Sequence, residues 1–261
     1  MKKTDLLIIA AAGSSHRIGS NAVTAPKQFA VCAGKPLLYW ALLPFTEISS
    51  IAHCIVLLPT GVKGAELLSL PFPVTFAEGG ASRQESIWKG LQCALSMKLE
   101  PASVWIHDAA RPALPASLVR RMEEAKSLSR GDDGIVPLLP VVSALKRVDE
   151  QSGMVSVERE GLMLAQTPQL FPFGLLRKAH QLAKEKGWHV HDDAELFERA
   201  GLPLRQVMGE QSNIKVTYAE DLELIGEILR SRDQGVQNPP PTFSAITVDP
   251  PATRRMEHHT E

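Results

Sequence analysis

Residues 5–13 read DLLIIAAAG, in which an unbroken apolar run at 6–10 leads into a turn of small residues. Such a run is typical of a strand buried on both faces of a parallel sheet, although a buried helical segment looks similar. Recurrence separates the two, because further short apolar or β-branched runs follow at 54–58, 74–76, 104–106 and 134–136. Stretches with helical spacing lie between them, at 36–44, 82–97 and 116–128. This alternation predicts an α/β fold with a mostly parallel central sheet.

Residues 142–159 interrupt the alternation, because VSALKRV and MVSVERE flank a turn-rich segment at 149–153. The pattern predicts a protruding β-hairpin arm. Its strands are too polar to form a core of their own, so the arm is either a solvated hairpin or one that a second subunit covers. We slightly favour the covered arm.

The rest of the chain completes a single domain. Helices are predicted at 174–186, 193–200 and 219–230, with a strand at 204–207. We expect one domain over residues 1–232, of which about 140–162 form the arm. Residues 233–261 are rich in proline and lack apolar periodicity, which predicts a disordered tail.

The composition limits the classes of function. With 44% hydrophobic and 22% charged residues the chain is typical of a globular protein, and a net charge of −1 disfavours nonspecific nucleic-acid binding. Three widely spaced cysteines indicate neither a disulfide framework nor a zinc site. No apolar run is long enough for a membrane span, and Asp5 argues against a signal peptide. We therefore predict a cytoplasmic protein with neither nucleic-acid nor membrane partners.

The turn after the first strand is the first candidate site. Residues 11–19, AAGSSHRIG, lie where a glycine- and serine-rich turn exposes backbone N–H groups that bind phosphate. The turn lacks the Lys-Ser/Thr ending of a P-loop and does not match Gly-x-Gly-x-x-Gly, which disfavours ATPase and NAD-binding functions. Arg17 and Lys27 can neutralise a polyphosphate there. The alternative is a structural turn beside two solvated charges.

Two further segments follow predicted strands. In residues 78–86, EGGASRQES, the glycines allow a flat ligand such as a nucleobase to approach, although a loop that caps a helix at Ser82 is an equal alternative. In residues 105–112, WIHDAARP, Asp108 stands where a carboxylate can hold Mg²⁺ against a phosphate, unless it is a turn residue or a helix cap. Arg111 either pairs with Asp108 or faces an anionic substrate.

Six blocks in order resemble the 2-C-methyl-D-erythritol 4-phosphate cytidylyltransferase family over about residues 5–230: AAAGSSHRIG, PKQF, GGxxRQESI, HDAARP, LAQTPQLF and NIKVTYAEDL. HDAARP and TPQ-F separate this family from general sugar-nucleotide transferases, and related ribitol 5-phosphate enzymes tend to carry HDSVRP. The resemblance implies a Rossmann-like nucleotidyltransferase domain and a homodimer joined through the arm. It also implies Mg²⁺-dependent transfer of CMP from CTP to methylerythritol phosphate, with release of pyrophosphate, in non-mevalonate isoprenoid biosynthesis.

The resemblance further implies roles for single residues. The positions that would hold the cytidine are Ala11, Ala12, Gly80 and Ser86. The positions that would hold the triphosphate and the reacting phosphates are Gly13, Arg17, Lys27 and Lys215. Those that would face the methylerythritol phosphate are Asp108, which would also lie near the metal, and Arg111. Those that would reach into the partner subunit's site are Arg159 and Thr167. The expected catalytic set is Arg17, Lys27, Arg159 and Lys215.

The chemistry agrees with these roles. Two anionic phosphates must approach each other, so catalysis requires positive charge where the transition state gathers negative charge. A phosphate monoester is already largely dianionic at neutral pH, so no general base is needed.

Two departures from the family pattern leave alternatives open. Ser143-Ala144 replaces the usual Asp-Thr at the start of the arm, which puts the acceptor in doubt and leaves ribitol 5-phosphate as an alternative. Ala81 replaces an aspartate after the glycine pair, although the backbone contacts to the base remain. A nucleotide-binding regulator that has lost catalysis is the third hypothesis.

Overall fold

The computed structural model describes residues 5–13, 27–62, 70–149 and 153–233, with Lys27 and Asp233 described by their backbone only. The helices are α1 (Leu37–Leu42), α2 (Arg83–Ser96), α3 (Ala116–Ser127), α4 (Phe173–Lys186), α5 (Asp193–Arg199) and α6 (Asp221–Asp233), with short 3₁₀ helices at Lys27–Phe29 and Leu43–Glu47. The strands are β1 (Asp5–Ala10), β2 (Val31–Cys32), β3 (Lys35–Pro36), β4 (Ile51–Leu58), β5 (Val74–Glu78), β6 (Ser103–Asp108), β7 (Gly134–Pro140), β8 (Leu145–Asp149), β9 (Gly153–Val157), β10 (Met163–Ala165), β11 (Gln169–Pro172) and β12 (Leu204–Met208).

The central sheet follows the order β10-β7-β11-β6-β1-β4-β5, and β12 pairs with β7. The pairs β1–β4, β1–β6, β4–β5 and β7–β12 are parallel, whereas β10 and β11 run antiparallel to their neighbours. Ala10 at the end of β1 aligns with Leu57 of β4 and with Asp108 of β6. The predicted α/β fold with a mostly parallel sheet is confirmed, and the carboxyl ends of these strands meet at one edge.

The strands alternate between two cores. Leu7 and Ile9 of β1 pack with α1 and α3 on one face of the sheet, whereas Leu6 and Ile8 pack with α2, α4 and α5 on the other. All four β1 side chains are at most 1% exposed. An unbroken apolar run is therefore required, because both faces of the strand are covered.

Strands β10 and β11 were not predicted. They are only three and four residues long, and β11 lies directly after the Thr167–Pro168 bond, so neither shows the alternation by which strands are recognised. The predicted helix at 36–44 is shorter than expected, because the chain changes to a 3₁₀ helix at Leu43, with proline in its first turn.

The predicted hairpin is present. Strands β8 and β9 form a separate antiparallel pair in which Leu145 aligns with Val157 and Asp149 with Gly153. Val148 and Met154 are 73% and 68% exposed, so within one subunit the arm presents apolar side chains to solvent. Residues 150–152, at its turn, and 234–261, nearly all of the predicted tail, lie outside the described residues. Among the residues that are described, no helix has the length and apolarity of a membrane span.

Candidate active site

A cleft of about 360 Å³ opens at the carboxyl edge of the sheet. Its lining comes from the turn after β1, the loop before α2, the end of β6 and the segment before α6. The described lining residues are Ala10, Ala11, Ala12, Gly13, Gln28, Gly80, Ala81, Ser82, Arg83, Ser86, Asp108, Ala109, Ala110 and Lys215. The predicted positions Ala11, Ala12, Gly13, Gly80 and Ser86 all line this cleft, together with Asp108 and Lys215.

The loop that contains Gly79 and Gly80, here called the glycine loop, packs closely against the turn after β1. A Cβ on Gly79 would lie 2.3 Å from Ala12 Cβ and 2.9 Å from Ser86 Oγ, so a side chain at this position does not fit. Ser86 Oγ accepts a hydrogen bond from Gly80 N at 2.9 Å and donates one to the Ser82 carbonyl at 2.8 Å. Ser82 is the N-cap of α2, as predicted, and accepts from Glu85 N. The loop is therefore held by hydrogen bonds, and Gly80 lines the cleft.

Asp108 is the charged centre of the cleft. Its Oδ2 accepts from Lys215 Nζ at 2.7 Å and its Oδ1 from Arg83 Nε at 3.1 Å. Burial raises the pKa of Asp108, but the charges of Arg83, Lys215 and Arg111 and the hydrogen bond from Lys215 outweigh it and hold the pKa well below its usual range. Asp108 is therefore an ionised carboxylate at neutral pH, and cations compensate its charge.

Arg83 is a cleft residue for which no sequence motif predicted a role. Besides Asp108 it contacts Asp193, the first residue of α5, through Nη1–Oδ2 at 2.6 Å. Burial alone would raise the pKa of Asp193, but the Arg83 charge and the hydrogen bond from His180 outweigh burial and lower the pKa. Arg83 and Asp193 are 110 positions apart, so no local motif joins them.

Thr167 supports the end of β6 within its own subunit. Its Oγ1 accepts from Asp108 N at 3.1 Å and lies 3.1 Å from His107 Nδ1, and the residue is 4% exposed. Within its own subunit the Thr167 hydroxyl thus contacts both Asp108 and His107, and its reach into a partner subunit's site stays a prediction. Burial lowers the pKa of His107 to about 4, so the ring is neutral at pH 7 and Nδ1 accepts from Thr167 while Nε2 donates to the Arg111 carbonyl.

The remaining predicted residues lie outside the cleft lining that is described. Arg111 is partly buried behind Asp108 and donates through Nη1 to the Asn213 carbonyl at 2.7 Å, and burial lowers the pKa of its guanidinium. Arg159 is exposed at the base of the arm and donates to the Val142 carbonyl. Arg17 and the side chain of Lys27 lie outside the described residues.

Buried donors around the cleft indicate a ligand rich in acceptors. Gln28 Nε2, Arg83 Nη2 and Arg111 Nε are buried and have no hydrogen-bond partner in the described part of the chain. Buried donors are normally paired, so these nitrogens are suited to a ligand that brings oxygen acceptors.

Asp108 fits a Mg²⁺ ion held mainly by its substrate. Mg²⁺ commonly takes one or two protein carboxylates and completes its shell with phosphate oxygens and water. Asp108 is the one carboxylate of the described lining, and its Oδ2 contacts the half-exposed side chain of Lys215. Among the described residues, no group of three or more His, Cys, Asp or Glu side chains is placed to hold a metal.

A doubly wound sheet with a glycine-lined loop and paired charges at its carboxyl edge defines a nucleotide-binding α/β protein. The family model for 2-C-methyl-D-erythritol 4-phosphate cytidylyltransferase matches residues 6–231, and the chain belongs to that family. A relative of that name from Acaryochloris marina is 38% identical over 234 residues, covering 87% of this chain and 95% of its own. A relative from Thermus thermophilus is 37% identical, covering 86% and 96%. A crystal structure of the cytidylyltransferase from Thermus thermophilus superimposes with a TM-score of 0.72, covering 88% of this chain and all of that one.

Proposed function

We propose that this protein transfers the cytidylyl group of CTP to 2-C-methyl-D-erythritol 4-phosphate, releases pyrophosphate, and so serves isoprenoid biosynthesis. Membership of the cytidylyltransferase family supports the reaction. The structural observation that carries the proposal is the single cleft in which the glycine loop, Asp108 and Lys215 meet.

The cytosine ring fits the rigid part of the cleft. Ala11, Ala12 and Gly80 offer backbone groups, and Ser86 holds the Gly80 amide in place. Because the loop is already fixed by hydrogen bonds, little ordering is needed when the base binds. We assign these residues to the nucleoside and Gly13 to the first phosphates.

Lys215 supplies mobile positive charge. Its side chain is 45% exposed although it pairs with Asp108, so it can turn from the carboxylate to a phosphate without breaking a buried structure. In the transition state two phosphates share negative charge, and a cation fixed beside them lowers the barrier. We assign Arg17 and Lys27 to the same task. The acceptor phosphate is its own nucleophile, and neutral His107 is not needed as a base.

A Mg²⁺ ion completes the proposed site, with Asp108 as its protein ligand. Bound there, it would neutralise phosphate charge and orient the triphosphate. Asp108 would orient the ion, and the Thr167 hydroxyl fixes Asp108 by accepting a hydrogen bond from its backbone N–H.

The arm is proposed to join two subunits. Val148 and Met154 on it are exposed within one subunit, and an uncovered two-stranded sheet is marginal in water. Arg159 does not line its own cleft, and we propose that it serves the neighbouring one. Arg159→Ala is expected to lower kcat by about 10² while CTP binding changes little, by analogy with the loss of a transition-state donor.

Mixed dimers test the shared site. Chains carrying Lys27→Ala and Arg159→Ala, each inactive alone, should regain part of the activity when co-assembled, because one cleft then holds both cations. Arg147→Ala, at an exposed position of β8, is the matched control and should leave turnover unchanged. A loss of CTP affinity in Arg159→Ala instead would show that the arm is assigned wrongly.

Ribitol 5-phosphate is retained as a second acceptor because Ser143 and Ala144 replace the family's Asp-Thr. Both residues are exposed where the arm begins. A panel of polyol phosphates with CTP and Mg²⁺, read by pyrophosphate release, decides between the acceptors. We expect the highest kcat/KM for methylerythritol phosphate. CTP binding in calorimetry with no product from any acceptor would favour the regulator instead.

A further inference from the structure

Arg83 connects the cleft to a buried carboxylate outside it. Its Nε contacts Asp108 Oδ1 at 3.1 Å and its Nη1 contacts Asp193 Oδ2 at 2.6 Å. Asp193 is 1% exposed and is not among the described residues that line the cleft. One guanidinium therefore spans two carboxylates from different elements, which its planar fork of donors allows and a lysine does not.

Asp193, at the end of this connection that lies away from the cleft, is held by further contacts. His180 Nε2 of α4 lies 3.2 Å from Asp193 Oδ1, and the His180 ring stacks on Trp88 of α2 with 6.0 Å between centroids. Gln84, which follows Arg83 in the chain, donates to the Trp188 carbonyl at 3.0 Å. Asp193 is therefore fixed by packing between three helices, and its position does not depend on a ligand in the cleft.

The two oxygens of Asp108 differ in what holds them. Oδ1 faces Arg83, whose side chain is 23% exposed and tied to Asp193. Oδ2 faces Lys215, whose side chain is 45% exposed. A ligand can displace the lysine more easily than the arginine, because only the arginine has a second buried partner.

We propose that Arg83, fixed by Asp193, is a positioning residue that holds Oδ1 of Asp108 and leaves Oδ2 to exchange between Lys215 and a divalent cation bound with the nucleotide. The inference rests on the proposed function for its kinetic readout. Residues that orient a metal ligand commonly contribute about 10- to 100-fold in metal affinity or activity when they are lost.

Asp193→Asn tests the connection without touching the cleft. It keeps the size of the side chain and removes the charge that holds Arg83. We expect kcat for CMP transfer to fall about tenfold or more, with the KM for CTP within about twofold, because Asp108 is misplaced while the base site is intact. Mn²⁺ titration in the presence of CTP and without acceptor, followed by electron paramagnetic resonance, should show about tenfold weaker Mn²⁺ binding.

Arg83→Lys is the second variant, should Asp193→Asn fail to fold. A lysine cannot reach both carboxylates, so the same losses are expected. Lys126→Met, which breaks the ion pair with buried Asp5 at the opposite end of the sheet, is the control and should change neither kcat nor Mn²⁺ affinity.

Unchanged kcat and Mn²⁺ affinity in a folded variant of Asp193 or Arg83 would overturn the inference, as would a rise in KM for CTP with kcat unchanged. A wild-type protein without turnover, whose Mn²⁺ affinity still depends on Asp193, would refute the proposed function and leave this inference standing.

Discussion

The sheet carries a buried carboxylate at each edge, and the two are held differently. Asp5, at the amino end of β1, is 1% exposed and accepts from Lys126 Nζ at 2.5 and 2.6 Å, from Trp105 Nε1 and from Ser50 Oγ. Lys126 is 31% exposed, but the Asp5 carboxylate is enclosed by these partners from the fold, and we call this group of residues the closed cluster.

Asp108, at the carboxyl end of β6, is 6% exposed and faces a cleft. It is held by Arg83 on one oxygen and by half-exposed Lys215 on the other, and unpaired donors lie around it. One fold thus uses similar ion pairs for two purposes. A carboxylate with fixed partners contributes to stability, whereas one with an exchangeable partner is available to a ligand.

The largest expected effect is on kcat, when the lysine of each cluster is replaced by methionine. Lys215→Met removes the mobile cation, and kcat should fall about 10²- to 10³-fold, as for the loss of a transition-state donor. Lys126→Met makes the same change at the closed cluster and should leave kcat within about twofold, because no substrate contacts it. Pyrophosphate release measures both. Equal losses in the two variants would remove the functional distinction between the edges.

Gly79 tests whether the glycine loop binds the base. Gly79→Ala places a Cβ 2.3 Å from Ala12 Cβ, so the loop must move and the KM for CTP should rise about tenfold, the cost of one misplaced binding element. Gly174→Ala in α4 is the matched control, because nothing lies within 4 Å of its Cβ, and it should bind CTP normally and be slightly more stable. A Gly79→Ala protein with unchanged KM would show that the loop does not bind the base.

Local motifs made much of this site predictable. The glycine loop, Asp108 and Lys215 each follow a strand or precede a helix within a short segment, and parallel strands must bring such segments to one edge. The alternating apolar runs similarly predicted the sheet. Ser82 was identified as an N-cap because its hydroxyl serves the first turn of α2.

What could not be predicted depends on contacts between distant segments. Arg83 meets Asp193 across 110 positions, and Asp193 shows in sequence only the acidic start that many helices share. Thr167 accepts a hydrogen bond from the Asp108 backbone across 59 positions, a contact that no local motif shows. Strands β10 and β11 were not predicted because they are short and their partner strands lie in distant segments of the chain.

Loss of the Lys126–Asp5 ion pair in the closed cluster should lower the free energy of unfolding. Lys126→Met leaves Asp5 with Trp105 and Ser50 as partners, so the free energy of unfolding should fall by about 1–3 kcal/mol, the value of a hydrogen bond to a charged group. Urea unfolding measures the change. Lys215→Met, where the lost partner is half exposed, should cost less than half as much. A larger loss of stability at Lys215 would reverse the assignment of the two clusters.

The smallest expected effect is a pH dependence near the amino edge. Burial lowers the pKa of His53, whose Nε2 lies 2.8 Å from Thr75 Oγ1. The unfolded chain therefore binds more protons than the folded one below about pH 6.5, and the contribution of His53 to stability is lost as the pH falls from there. Between pH 7.5 and 5 the wild type should lose slightly more unfolding free energy than His53→Gln. An equal loss would contradict the shift.

A crystal structure with CTP and Mg²⁺ tests the proposed exchange at Asp108 most directly. We expect the cytosine beside Gly80 and Ala12, Lys215 Nζ moved from Asp108 to a phosphate oxygen, and Arg83 still joining Asp108 to Asp193. A nucleotide bound away from the carboxyl edge, or Lys215 still paired with Asp108 beside bound triphosphate, would contradict the exchange that we propose.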